Sequence, residues 1–143
     1  MTTVRHLLDH KGRALFSIEP EDPVLEAIRM MADRRVGALL VMRGTELVGI
    51  VSERDYARKV VLLGRSSAET PVWQIMSSPV ITVSLDTSAQ DCMRLMTERR
   101  IRHLPVLDAG RVVGMISIGD LVKSKIAETE AEAEGLRAYI SAA

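Results

Sequence analysis

The apolar residues of this chain fall into two patterns that alternate twice along its length. Val24, Ala27, Ile28 and Met31 recur at helical spacing, as do Ala89, Cys92, Met93 and Met96. Each helical stretch leads into two continuous apolar runs, 38–42 then 47–51 in the first case and 104–107 then 112–116 in the second. Short runs rich in Val, Ile and Leu and bounded by glycine predict buried strands. Arg43-Gly44-Thr45 and Asp108-Ala109-Gly110 separate them, so each pair is expected to form a hairpin. A short extended start precedes each helix, at 14–18 and 80–84, and a second helix follows each hairpin, at 53–63 and 118–133. Asp22 and the group Asp86-Thr87-Ser88 offer helix caps, and Pro23 suits a first helical position. Arg34-Arg35 and Arg99-Arg100 close the first helices, where cations are favoured.

The alternation is a repeat in sequence as well as in pattern. A shift of sixty-five residues sets 17–56 on 82–121 without a gap. Arg29, Met31, Arg34 and Arg35 fall on Arg94, Met96, Arg99 and Arg100, and Val48-Gly49, Ser52 and Asp55 fall on Val113-Gly114, Ser117 and Asp120. One such unit buries too little surface to stand alone. The expected fold is therefore α+β, with two β-α-β-β-α units packed about a pseudo-two-fold axis. The chain divides into a helical lead-in (1–13), repeat one (14–63), a linker (64–79), repeat two (80–127) and a helical tail (128–143). The linker holds a helical turn at 72–76, whose Trp73 is expected to cover the edge of the core. The Glu- and Ala-rich tail is expected to be a solvated helix extension or a frayed end.

Composition refines this picture. Apolar residues make up 47% of the chain and aromatic residues 3%, so the core must be aliphatic. Nineteen basic side chains balance nineteen acidic ones, which leaves no broad field for nucleic acid or an anionic membrane. The one cysteine, Cys92, rules out an intrachain disulfide and a CxxC metal site, and its helical pattern predicts a core thiol. No apolar run approaches the ~20 residues of a membrane span. The N-terminal residues lack the pattern of a secretory signal, and a soluble, cytoplasmic protein is expected.

Candidate chemistry lies at the two strand-to-helix junctions, Ser52-Glu53-Arg54-Asp55 and Ser117-Ile118-Gly119-Asp120. Ser-x-x-acid at such a junction is a capping box, the serine accepting an N–H one turn on while the acid reaches back. The same geometry suits a nucleotide. A helix N-terminus and a hydroxyl donate to phosphate, and a carboxylate accepts the two hydroxyls of a ribose. Both roles stand open on the sequence. Catalysis is not expected, because His6, His10 and His103 form no recognisable triad with Cys92 or a serine. His6 and His10 lack further ligands for a metal, and no GxxxxGK[ST] loop or GxGxxG turn is present.

The motifs that carry most information are Val48-Gly49-Ile50-Val51-Ser52-Glu53-Arg54-Asp55, Val113-Gly114-Met115-Ile116-Ser117-Ile118-Gly119-Asp120, Arg102-His103-Leu104-Pro105-Val106-Leu107-Asp108 and Ile75-Met76-Ser77-Ser78-Pro79. With them the chain resembles the tandem CBS (cystathionine β-synthase) module, or Bateman module, of the small stand-alone bacterial type. The resemblance implies a regulatory module with up to two sites for an adenine nucleotide, such as AMP, ADP, ATP or NAD(H), between the repeats. By position, Asp55 and Asp120 are expected to hold riboses and Ser52 and Ser117 phosphates. Val36, Gly37, Ala38 and Ile50, with Ile81, Thr82, Ile101 and Met115, are expected to sandwich adenines.

Two unequal sites are expected, since Arg102-His103 stands in copy two where copy one has Gly37-Ala38. Arg102 and His103 are candidates for phosphate in copy two, although His103 equally suits a structural place at a strand start. Arg54 and Arg58 are the candidates in copy one, with Arg58-Lys59 equally readable as a solvated face. The resemblance also implies a homodimer, here through Tyr56-Ala57-Val60-Val61 and Leu121-Val122-Ile126 of the second helices. The regulated protein is not named by this chain. The competing expectation is an interaction module that works without ligand.

Overall fold

The structure is a computed structural model that describes the backbone of residues 1–142 and the side chains of residues 1–140. Helix α1 (Val4–Lys11) is followed by the first repeat: β1 (Ser17–Ile18), α2 (Val24–Arg34), β2 (Ala38–Arg43), β3 (Glu46–Ser52) and α3 (Glu53–Tyr56). A single 3-10 turn, Val72–Gln74, marks the linker. The second repeat comprises β4 (Val83–Ser84), α4 (Ala89–Arg99), β5 (His103–Asp108), β6 (Arg111–Ser117) and α5 (Ile118–Ala142). The expected α+β duplication is present: each repeat has a three-stranded sheet, β1-β2-β3 and β4-β5-β6. In both, the first strand pairs parallel and the last antiparallel to the middle one.

The middle strands are the most buried, Ala38–Val41 of β2 and Leu104–Val106 of β5 being covered on both faces. That is why they read as continuous apolar runs rather than as alternation. Leu39 and Val41 face the core of the first repeat with Val24, Ala27, Met31 and Val51. Leu104 and Val106 face the core of the second with Cys92, Met96, Ile116 and Leu121. Burial, and secondly the charge of Asp91, raises the Cys92 thiol to a pKa of about 11, so this sulfur is an inert core group.

The two cores are closed by segments from outside their own repeats. Val4, Leu7 and Leu8 of α1 precede repeat one but lie in the core of repeat two. Val72 and Ile75 of the linker lie in the core of repeat one. Backbone hydrogen bonds fix both arrangements. Val4 N–H donates to Thr87 O at 2.8 Å and Ala89 N–H to Thr2 O at 2.8 Å, while Val24 N–H donates to Thr70 O and Val72 N–H to Asp22 O at 2.8 and 2.9 Å. Leu8 packs on Gly114 of β6 and Met76 on Gly49 of β3. Both glycines sit beside the same β-bulge, opposite Val106 and Val41, and the missing side chain is what lets the crossing segment approach.

Several expectations need correction. Pro23 is the N-cap of α2, not its first helical residue, because the N–H of Val24 is bonded to the linker. Asp22 does not cap α2: its carboxylate accepts from Glu19 N–H at 3.1 Å and closes the preceding turn. Ser88 does cap α4, accepting from Asp91 N–H at 3.0 Å. The helix expected at 53–63 is α-helical only over Glu53–Tyr56 and widens into a π-helical segment, Ala57–Val61. An i→i+5 turn leaves no mark on a 3.6-residue pattern. The second helix of copy two continues past residue 133 to Ala142, so the tail takes the first of its two expected forms, a solvated helix extension, in line with the helix propensity of its Ala, Glu and Lys residues. The last residue of the expected tail, Ala143, lies outside the described residues. Trp73 is half exposed on the linker turn.

The two glycine contacts differ in what opposes them. A Cβ on Gly114 falls 2.7 Å from Leu8 Cδ2, a fully buried side chain, whereas one on Gly49 meets the partly buried, more adaptable Met76. Gly114→Ala is expected to cost about 1–3 kcal/mol in urea unfolding and Gly49→Ala less. Equal losses would show that Leu8 gives way as readily as Met76.

Candidate functional site

Each box sits where the last strand of a sheet turns into a helix, and in both repeats it is closed as a cap. Asp55 N–H donates to Ser52 Oγ at 3.2 Å while Ser52 N–H donates to Asp55 Oδ2 at 3.0 Å. In copy two Asp120 N–H donates to Ser117 Oγ at 3.2 Å and Ser117 N–H to Asp120 Oδ2 at 2.8 Å. The first helical N–H is also taken, Glu53 giving to Gly37 O at 3.0 Å and Ile118 to Arg102 O at 2.9 Å. The expectation of several free N–H groups for phosphate is therefore corrected. Among the described residues only Arg54 N–H and Gly119 N–H remain open in the first turn of each helix. The bonds to Gly37 and Arg102 have a second effect: they hold the strand-start residues expected beside a nucleotide against the box.

The two copies diverge in how the carboxylate is partnered. Asp55 uses both oxygens: Oδ2 also accepts from the Ser52 hydroxyl at 3.1 Å, and Oδ1 pairs with Lys59 Nζ at 3.2 Å. Lys59 donates as well to Ile75 O at 2.9 Å. The lysine expected either to meet phosphate or to be solvated instead ties the box to the crossing linker. In copy two, Lys11 at the end of α1 reaches Asp120 Oδ2 at 2.5 Å and Met115 O at 2.7 Å. Asp120 Oδ1 has no protein partner among the described residues, while the Ser117 hydroxyl lies against the same carboxylate. Ile50, the counterpart of Met115, exchanges two backbone hydrogen bonds with Ser77 of the linker instead. In each copy, then, the crossing segment comes up against the strand residue two positions before the box serine.

Lys11 was not singled out from the sequence. It lies more than a hundred residues from Asp120 in the chain, and a basic residue at a helix end is unremarked in itself. The faint signal was the match of Val4, Leu7 and Leu8 to Val72, Ile75 and Met76, sixty-eight residues on.

The remaining candidates fall around these boxes. His103 starts β5 with its ring against Gly37, where a Cβ would lie 3.5 Å from His103 Cε1, so the repeats meet there. Arg54, Arg58 and Arg102 are exposed and pair with no carboxylate among the described residues. Val36, Gly37, Ile50, Ile81, Thr82, Ile101 and Met115 are half-buried, available as walls, whereas Ala38 is fully buried. The recesses of about 480 and 410 Å³ lie elsewhere, one lined by α2 residues such as Arg29 and Asp33 and the other beneath Met1 and Thr2. Neither of these two includes a box residue.

Electrostatics sets copy two apart. Burial raises the Asp120 pKa, but the hydrogen bond and charge of Lys11, with the N–H and hydroxyl of Ser117, outweigh it, and the net shift is downward. Burial lowers the pKa of His103, helped by Lys11 and Arg102 and opposed by Asp120, so the ring is held neutral. In both cases the unfolded chain binds the proton more readily, so the stability contributed is present at higher pH and lost on acidification. For His103 the loss begins as pH falls through its ordinary value of 6.5, and for Asp120 it begins below 3.8.

The comparisons with known proteins agree with one another. The sequence profile of the CBS domain matches residues 4–62 and again 72–126. The CBS domain-containing protein CBSX3, mitochondrial, of Arabidopsis thaliana is 39% identical over 148 residues, covering 97% of this chain and 72% of the relative. The structure of a protein with CBS domains from Burkholderia ambifaria is 53% identical and superposes with a TM-score of 0.86, over 88% of this chain and 95% of that one. The CBS domain pair of MJ0100, 22% identical, shares the fold at a TM-score of 0.80 over 90% of this chain and 98% of that one.

Lys11 is the one cation that bears on both titrating groups of copy two. In Lys11→Met, NMR titration is expected to move the pKa of His103 and that of Asp120 upward together. A shift of neither would mean that the ammonium does not hold this position in solution.

Proposed function

The chain belongs to the CBS-domain family, as a tandem pair, and on that premise we propose that it is a cytoplasmic, non-catalytic regulatory module that binds an adenine nucleotide between its repeats and reports that state to another protein. The observation that carries this reading is the box in copy two. Asp120 keeps one carboxylate oxygen without a protein partner among the described residues, the Ser117 hydroxyl lies against that carboxylate, and Arg102, whose side chain is exposed, is tied to the box through its backbone carbonyl. A diol acceptor, a hydroxyl and an exposed cation make up the set that a ribose phosphate requires. The half-buried aliphatic residues Ile81, Ile101 and Met115 supply apolar walls suited to a purine. The CBS pair of MJ0100 was solved in complex with 5′-methylthioadenosine and S-adenosyl-L-methionine, which supports adenosine derivatives as a ligand class for the fold.

The assignment gives Asp120 and Asp55 to ribose, Ser117, Ser52, Arg102, His103, Arg54 and Arg58 to phosphate, and the walls named above to adenine. The sites are unequal, copy two being the better equipped. In copy one both oxygens of Asp55 and the Ser52 hydroxyl are already engaged, so a ligand there has to displace Lys59 or open the cap. A homodimer belongs to the same proposal, in a revised form. Tyr56, Val60 and Leu121 pack into their own cores, which leaves Val61, Leu62, Leu63, Val122 and Ile126 as the exposed apolar residues of these helices. Regulation by a bound nucleotide works only through its different affinity for two arrangements of the repeats.

Calorimetric titration with AMP, ADP, ATP and NADH is expected to detect binding at copy two first. Asp120→Asn, which keeps the shape of the cap, is expected to weaken that site roughly tenfold to a hundredfold through loss of a charged hydrogen-bond acceptor. Absence of heat and of any thermal shift with all four nucleotides defeats the proposal in favour of a ligand-free interaction module. Unchanged affinity and stoichiometry in the Asp55→Asn, Asp120→Asn double variant reduce the boxes to caps.

A further inference from the structure

Helix α5 is far longer than the fold requires. The CBS match ends at residue 126, yet the helix continues to Ala142. Along it Val122, Ile126, Thr129, Ala133, Leu136 and Ile140 are spaced by 4, 3, 4, 3 and 4 residues, an unbroken heptad seam. Taking Ile126, Ala133 and Ile140 as a positions makes Val122, Thr129 and Leu136 the d positions. The seam is not covered by its own protomer: Val122, Ile126, Leu136 and Ile140 are 45%, 53%, 61% and 63% exposed. The opposite side of the helix faces the body. Leu121, a c position, is buried, and Glu128, the next c position, accepts a hydrogen bond from Thr2 Oγ1. Thr129 is compatible with a dry seam because its hydroxyl donates to Lys125 O at 2.9 Å, leaving its methyl group free to pack.

We propose that α5 pairs with α5 of a second copy of this chain as a parallel two-stranded coiled coil along this seam. The flanking charges choose both occupant and direction. In a parallel pair, each g residue meets the e residue of the partner's following heptad. Here Lys125 meets the partner's Glu130, and Glu132 meets the partner's Arg137, an opposite-charge match at both steps and twice over by symmetry. An antiparallel pair with full overlap sets Glu130 on Glu130, Glu132 on Glu132 and Lys123 on Arg137, all like charges. Ile at two a positions and Leu at one d position is the choice that favours two strands. The seam spans about 27 Å at 1.5 Å per residue. This pairing rests on the homodimer of the proposed function and specifies its α5 contact, and its test reads association without any ligand.

Cysteine cross-linking of the full-length protein tests the geometry. Leu136→Cys places a thiol at d, which faces its own counterpart only in a parallel pair, and mild oxidation is expected to give a covalent dimer in high yield. Ala138→Cys, at the outward f position, is expected to cross-link at least about tenfold less, and native Cys92 is buried and does not compete. Adding Glu132→Lys to Leu136→Cys is expected to lower the yield several-fold, and adding Arg137→Glu as well to restore it. Equal cross-linking at 136 and 138 overturns the proposal. So does cross-linking that appears only when Leu136→Cys and Ile126→Cys proteins are mixed, or a monomer in sedimentation equilibrium at tens of micromolar.

Discussion

Neither repeat of this protein closes its own core. The helix that precedes repeat one supplies Val4, Leu7 and Leu8 to repeat two, and the linker ahead of repeat two supplies Val72 and Ile75 to repeat one. A β-α-β-β-α unit of about fifty residues leaves one end of its hydrophobic layer uncovered, which is a heavy liability at that size. Exchanging the lead-in segments covers both ends at once. It also makes the two repeats a single folding unit, since removing either lead-in exposes the core of the repeat it crosses to.

The same exchange brings the candidate site together. A crossing segment has to pass the strand before the box to reach its core, and it does so over a glycine, Gly114 or Gly49. On the way it leaves a group against the residue two before the box serine: the ammonium of Lys11 on Met115 O, and the backbone of Ser77 on Ile50. Because one lead-in is a helix and the other an extended turn, the duplicated boxes end up with different neighbours. Asp120 receives a lysine from a distant segment, and Asp55 receives Lys59 from its own helix. The difference between the two boxes thus has a second origin besides the exchange of Arg102-His103 for Gly37-Ala38. It lies in how each core is sealed.

In copy two the box is satisfied as a cap along one edge of the carboxylate only. There the backbone N–H and the ammonium share Oδ2, and Oδ1 is left over. In the proposed role, a ligand diol would add to this oxygen without dismantling the helix start. Copy one is closed more completely, and its cations, Arg54 and Arg58, stand exposed without carboxylate partners.

Periodicity was sufficient for the repeat, the element types and the boxes, because hydrophobic spacing and capping are local and each is encoded within about a turn of chain. Cys92, Leu39 and Leu104 are core residues that the pattern alone identifies, and Ser52-x-x-Asp55 and Ser117-x-x-Asp120 are legible as junctions for the same reason. What depends on contacts between residues tens to a hundred positions apart was not legible. The N-cap role of Pro23 follows from a bond between Val24 and Thr70, the partner of Asp120 is a lysine at the other end of the chain, and the π-helical turn at Ala57–Val61 obeys no 3.6-residue rule. Nor did the sequence alone show which apolar residues of the second helices stay outside: Tyr56, Val60 and Leu121 turn inward, and only the position of the hairpin beneath them decides it. Sequence determined the parts and their duplication, because those are written in local spacing. Tertiary structure decided which groups meet at each box, because chain crossing brings them there.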